Sequence, residues 1–276
     1  MYKSTLKPGE PALTTELIGR RIAYPFALLA KRLGMSANAV TIIAGGCWMI
    51  SLPLPCVAGA AFMHGRCNLS MIIWFAAGFL WNAGYILDIA DGSLARMTGT
   101  ASKRGYYLDH VFHLLFKPAF LLSIGLGLAL VSGDMFSKFC LLILSVLSIP
   151  ANWSATQCAV EHVICETHGK HEREPELSDD DFRKLWLGTN EINDSARTKR
   201  SAPARFIKTC VREILSYYGQ FTFFSATVLA DILLSIFTSY YSFRVTLWSF
   251  AVLTVLLTIR LPFKVWREYK RAALAD

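Results

Sequence analysis

Long apolar runs separated by short polar breaks dominate the chain. Crossing a bilayer as a helix takes roughly 20 residues, and stretches near 38–60, 70–96, 104–131, 136–158, 211–237 and 244–266 meet that length. Ahead of the first, LIGRRIAYPFALLAKRLG brackets apolar residues between basic ones. This predicts an amphipathic helix in the membrane interface, begun or interrupted at Pro25, the alternative being a short buried helix. The one sizeable polar stretch, about 159–208, mixes acids with bases and reads as a solvated connector, with substrate gating as the other use. Inside it, LSDDDFRKLWLG has the make-up of a short helix with Ser178 as N-cap. The expected fold is an all-α integral membrane protein of six transmembrane helices with an N-terminal interfacial amphipathic helix. Its expected organisation is a cytoplasmic N-terminal region, 1–36, carrying the juxtamembrane helix, then a six-helix transmembrane domain, 37–276.

Composition agrees with that picture. Apolar residues make up 54% of the chain and charged ones 17%, too few charges to cover a soluble protein of this size. The net charge of +8 comes from Lys and Arg placed beside apolar runs, where they set topology and meet anionic lipid. No nucleic-acid partner is therefore expected. Arg20, Arg21, Lys31 and Arg32 precede the first span, and Arg96, Lys103 and Arg104 lie between the second and third. More follow between the fourth and fifth spans and in KVWREYKR after the sixth, while HGRCN, SGDMFSK and SYYSFR carry few. Basic loops favour the cytoplasmic side, so both termini are expected there. The seven cysteines are scattered without a CxxC, which suggests neither a disulfide framework nor a zinc site. The polar start MYKSTLKPGEPALTTELIG lacks an apolar core, so no cleavable signal peptide is expected.

The chemistry concentrates where the second and third spans meet, in DIADGSLARMTGTASKRGYYLDHVFH. Carboxylates near membrane spans are costly and mark function. At about 100° per residue, Asp88, Gly92 and Ala95 share one helix face, with Asp91 close by. On the next helix Gly105, Asp109 and His113 recur every four residues, and the short loop lets the two stripes face each other. The result is a site of three carboxylates and an imidazole bordered by small residues. Hard oxygen ligands suit Mg²⁺, and Mn²⁺ is also plausible. Gly92, Ala95 and Gly105 would let a nucleotide approach the backbone, and Arg96 has the fork that grips phosphate oxygens. A divalent ion bridging a pyrophosphate would stabilise charge on the leaving group. The bland alternative is a set of helix-end charges at the interface.

This stretch resembles the CDP-alcohol phosphotransferases (CDP-alcohol phosphatidyltransferases), whose pattern is D-x2-D-G-x2-A-R-x8-G-x3-D-x3-D. Asp88, Asp91, Gly92, Ala95, Arg96, Gly105 and Asp109 match at the right spacing. SANAVT resembles the family's P-N-x-x-T element, keeping Asn38 and Thr41 but with Ala37 where proline is usual. The resemblance implies a metal-dependent transferase that releases CMP, with the transmembrane domain as its catalytic part and the active site on the cytoplasmic side. It implies that Asp88, Asp91 and Asp109 hold two divalent ions, Mg²⁺ or Mn²⁺. It also implies that Asn38, Thr41, Asp88, Gly92, Ala95, Arg96 and Gly105 bind the CDP moiety. A homodimer is carried over as an expectation.

The family's last aspartate is the expected general base and a metal ligand; here that position is His113. Three readings stay open. His113 is the catalytic base and a metal ligand beside Asp109, since an imidazole of reference pKa ~6.5 accepts protons near neutral pH. Alternatively the site is impaired or inactive and still binds a CDP-lipid or CDP-alcohol. The third reading is an introduced substitution that traps a substrate complex. His110 points about 100° away and reads as an ordinary polar residue. His162, His168 and His171 read as part of a solvated segment, their spacing being irregular.

The acceptor is an alcohol, and the donor reading leans to CDP-diacylglycerol in phospholipid head-group synthesis. Arg205, Lys208, Arg212 and Arg260 are the candidates for a basic acceptor pocket, with Arg260 equally readable as snorkelling to the interface. A transporter would instead string polar residues across the membrane. Asn82, Asn152, Gln157 and Asp231 are too scattered for that, and Asp231 is expected near the outer end of the fifth span, reaching water. Phe112, Phe116 and Phe120 read as packing or lipid contact.

Overall fold

The computed structural model describes residues 19–152, 214–215, 217–238 and 241–272, all helix and connections, with no strand among them. The 159–208 stretch, its three histidines, and Arg205, Lys208 and Arg212 lie outside the described residues. Among the described residues eight helices follow in order: α1 (Arg20–Arg32), α2 (Ala37–Ser51), α3 (Leu54–Met63), α4 (Cys67–Thr98), α5 (Lys103–Val131), α6 (Met135–Asn152), α7 (Tyr217–Thr238) and α8 (Arg244–Ala272). Among the described residues five stretches are long and apolar enough to cross a membrane: Ala37–Met63, Cys67–Thr98, Tyr107–Val131, Gly219–Thr238 and Arg244–Phe263. Met135–Pro150 is a shorter apolar helix, and the rest of the expected fourth span lies outside the described residues.

The first expected span is two helices rather than one. Pro53 and Pro55 lack N–H donors, and a proline ring clashes with the preceding turn, so α2 stops at Ser51 and α3 restarts at Leu54. The break leaves carbonyls without helical partners. Ser123 on α5 donates to the Leu52 carbonyl, which ties the break to the neighbouring helix.

The helices pack through aromatic rings and close backbone approaches. Trp81 of α4 meets Phe120 of α5 edge-on at 4.8 Å, and Phe120 meets Phe221 of α7 at 4.7 Å. Phe116 and Phe120 are buried, as expected for packing residues. Where α3 crosses α5, glycines allow the backbones to touch: a methyl group on Gly127 would lie 2.5 Å from the Pro55 carbonyl oxygen. The outer faces carry large exposed apolar side chains, among them Ile72, Phe75 and Phe79 on α4, Phe237 on α7 and Trp248 on α8. Apolar surface on this scale marks a lipid or protein contact rather than a face turned to water. The architecture is that of a multi-pass, all-α membrane protein.

α1 carries Pro25 within the helix and ends with Lys31 and Arg32 in its last turn. Its Ala23, Ala27 and Ala30 are buried against Ala90 and Leu94 of α4 and Val40 of α2. Alanine at this spacing brings the two backbones close, so α1 rests on α4 beside the motif. Ile22, Phe26 and Leu29 stay exposed on another face, the surface an interfacial helix offers to lipid.

Asp231 differs from expectation. It is 1% exposed, and instead of reaching water its two carboxylate oxygens accept from the Val245 and Thr246 N–H groups at 3.0 and 2.8 Å. Those donors lie in the first turn of α8, where helical N–H groups lack partners, so the acid of α7 satisfies them. Asn82 also has a local role. It donates to Ser225 Oγ at 2.7 Å and accepts from Thr222 at 3.2 Å, clamping α4 to α7.

Candidate active site

The α4–α5 turn is short because both ends are capped. Gly99 takes φ +65°, and the Thr100 N–H reaches back to the Ala95 carbonyl at 3.0 Å. A left-handed residue there favours glycine, which lacks the Cβ that would clash. Ser102 then starts α5 by accepting from the Gly105 N–H at 3.1 Å. With four residues between the helices, the Asp88 stripe and the Asp109 stripe run antiparallel and adjacent.

Asp88, Asp109 and His113 converge, their ligand atoms all within 4.8 Å of one another. His113 Nε2 lies 3.2 Å from Asp109 Oδ1 and 3.5 Å from Asp88 Oδ1. Carrying a proton, that nitrogen donates to a carboxylate; without one, it aims a lone pair at the same space. Two carboxylates this close repel unless a proton or cation sits between them. Their oxygens with one imidazole nitrogen form a donor set suited to Mg²⁺ or Mn²⁺, the imidazole suiting Mn²⁺ better.

The histidine is held from behind. It is 8% exposed, and its ring lies 5.6 Å from that of Trp48 at a tilt of 46°. Trp48 in turn donates through Nε1 to the Trp81 carbonyl at 3.2 Å. Gly84 makes room for the indole, because any side chain there would enter the Trp48 ring. The α2–α4 contact therefore sets the depth at which the imidazole sits.

Asp91 lies outside the three-residue group. Its Oδ2 accepts from the Thr41 hydroxyl at 2.5 Å, both residues being buried. Asp109 repels it and Arg96 attracts it. Thr41 thus orients a carboxylate, a geometry the N-x-x-T resemblance alone did not specify. Asn38, one turn earlier, is exposed and close to Gly105: a Cβ on Gly105 would lie 2.9 Å from Asn38 Oδ1. At Gly92 a Cβ would meet the Arg96 guanidinium at 3.4 Å. Gly92 thus lies beside Arg96 on α4, and Gly105 of α5 lies beside Asn38 of α2. Arg260 is exposed on α8.

Two residues escaped the sequence reading. Lys117 extends the stripe of Gly105, Asp109 and His113 by one more turn, and its ammonium interacts electrostatically with Asp88 and Asp109. Following the four-residue period one step further would have found it. Trp48 gave no such signal, since it reaches His113 only through tertiary packing.

Residues 34–162 match the family model of the CDP-alcohol phosphatidyltransferases. That segment contains the whole motif and its bordering helices, and through it the chain is similar to the CDP-alcohol phosphatidyltransferase family. That similarity implies transfer of a phosphate-linked group from a CDP-alcohol. No curated protein and no solved structure matches the chain.

Proposed function

We propose that this chain transfers the phosphate-linked group of a CDP-alcohol, with CDP-diacylglycerol as donor, to an alcohol acceptor in phospholipid head-group synthesis. The observation that carries the reading is the convergence of the ligand atoms of Asp88, Asp109 and His113 within 4.8 Å of one another. The acceptor oxygen attacks the phosphorus next to the donor's alcohol, the bond to the bridging oxygen breaks, and CMP leaves. His113 Nε2 takes the hydroxyl proton, with Asp109 beside it at 3.2 Å to stabilise the imidazolium. Asp88 and Asp109, with Asp91 adjacent, would hold Mg²⁺ or Mn²⁺, which would offset charge on the pyrophosphate, and His113 would join them as a ligand only while its Nε2 holds no proton and is not acting as the base. Gly92, Ala95, Gly105 and Asn38 leave room for the nucleotide, Arg96 pairs with its phosphates, and Thr41 orients Asp91. The choice of CDP-diacylglycerol leans on the basic residues Arg205, Lys208, Arg212 and Arg260. A homodimer rests on the resemblance alone.

One observation favours a second reading: an imidazole stands where the family's last carboxylate would be, so the site binds a CDP-lipid without turning it over. Labelled CDP-alcohol donors, screened against acceptors with Mg²⁺ and Mn²⁺, separate the two through CMP release. Expected is metal-dependent release that drops by about 10²- to 10⁴-fold in His113→Ala, the usual span for losing a general base. Full activity in His113→Ala removes the base assignment. Binding without release, recovered in His113→Asp, installs the second reading.

A further inference from the structure

What stands behind the His113 imidazole decides where its nitrogen points. A long helical side chain keeps more than one χ1 well, so an unconfined histidine can swing its ring away from a partner. Trp48 of α2 removes that freedom, its ring lying 5.6 Å from the imidazole. The indole is itself hemmed in. Its Nε1 donates to the Trp81 carbonyl of α4 at 3.2 Å. Phe116 of α5 stands 5.5 Å from it and Phe221 of α7 5.8 Å, ring centre to ring centre. Gly84 closes a further side, since the first carbon of any side chain there would run into the indole nitrogen.

Trp48 is 2% exposed, a wall fixed by three helices besides its own. On the other side of the imidazole, Nε2 meets Asp109 Oδ1 at 3.2 Å and Asp88 Oδ1 at 3.5 Å. A rigid ring behind and two carboxylates ahead hold the imidazole in one orientation.

We propose that Trp48 is a positioning residue for the proton transfer, keeping His113 Nε2 at the carboxylates where the acceptor hydroxyl is deprotonated. It acts through His113 and not on the substrate. A misplacement of about 1 Å can cost about 10²-fold in rate, so an indole that fixes the ring governs kcat rather than donor binding. The inference rests on the proposed function above, because it needs His113 as the base.

CMP release from the full chain in lipid nanodiscs tests it, as a double-mutant cycle with His113→Ala. With His113 present, Trp48→Leu is expected to lower kcat by about 10- to 100-fold, the common cost of losing an orienting partner, with KM for the donor unchanged. In the His113→Ala background it is expected to change neither. An equal loss in both backgrounds, which a purely structural tryptophan would give, overturns the inference. So does a native kcat in Trp48→Leu alone. Gly84→Ala displaces the indole without leaving a cavity and is expected to lose rate in the same pattern; it decides the matter where Trp48→Leu fails to fold. Solid-state NMR of histidine-labelled chains, recorded without donor or metal, reads the ring itself. The imidazole signal that His113→Ala removes is expected to be single in the native chain and to shift or split in Trp48→Leu, and a signal that stays in place overturns the inference. Full release in His113→Ala, or none from the native chain, removes the proposed base and this inference with it. Release that needs His113 but not Trp48 sinks this inference alone.

Discussion

Thr41 shows how one hydroxyl can govern a carboxylate some 50 residues away in the chain. Buried with Asp91 and 2.5 Å from it, the threonine both neutralises part of the acid's need for partners and fixes which way its other oxygen points. Leaving a buried carboxylate without its donor costs roughly 1.5–3 kcal/mol. Thr41→Val, nearly isosteric but without the donor, is expected to lower CMP release by about 10- to 100-fold, as loss of a metal ligand's orienting partner commonly does. Thr41→Ser should retain most of the rate. Equal rates for Thr41→Val and the native chain would show that Asp91 needs no such support. His113 and Lys117 belong to this scale too, since each changes the local charge by its side chain alone.

Between elements, shape dominates over chemistry. α3 and α5 touch through Gly59 and Gly127, and a methyl on Gly127 would meet the Pro55 backbone, which cannot rotate away as a side chain can. Gly127→Ala is therefore expected to destabilise the protein by about 1–3 kcal/mol through overpacking. Gly46→Ala, where nothing lies within 4 Å of the new methyl, should stay within about 0.5 kcal/mol. Thermal melts in detergent compare the two, and an unchanged Gly127→Ala melt would mean that α3 and α5 do not pack this closely. Other helix pairs are held by polar contacts at defined places: Asp231 on the first turn of α8, and Asn82 between α4 and α7. Such acids and amides inside spans invite a transport reading in sequence; their partners make them joints.

For the whole molecule, the basic loops predict a cytoplasmic location for the α4–α5 turn and hence for the active site. The distribution is one-sided enough to be tested directly. In a chain whose seven cysteines are replaced by alanine, Thr100→Cys is expected to react with an impermeant maleimide only from the cytoplasmic side of sealed vesicles. Gly133→Cys, in the α5–α6 connection, should react only from the opposite side. Labelling of Thr100→Cys from the outer side would invert the topology and place the chemistry across the membrane.

Much of the molecule was legible from residue order because its signals are local. Apolar length determined the spans, and helical period put Asp109 and His113 on one stripe. The spacing of seven motif residues carried the resemblance to the CDP-alcohol phosphatidyltransferases on its own. What stayed hidden depends on contacts between distant segments. Proline chemistry broke the first span, but only the fold supplied Ser123 to satisfy the exposed carbonyl. The stripes predicted that acids would gather. Tertiary packing decided that Asp91 would turn to Thr41, that Trp48 would back the imidazole, and that Lys117 would reach the acids from a turn away. Periodicity determines which side chains share a face of one helix, whereas the partner each finds depends on how the helices cross.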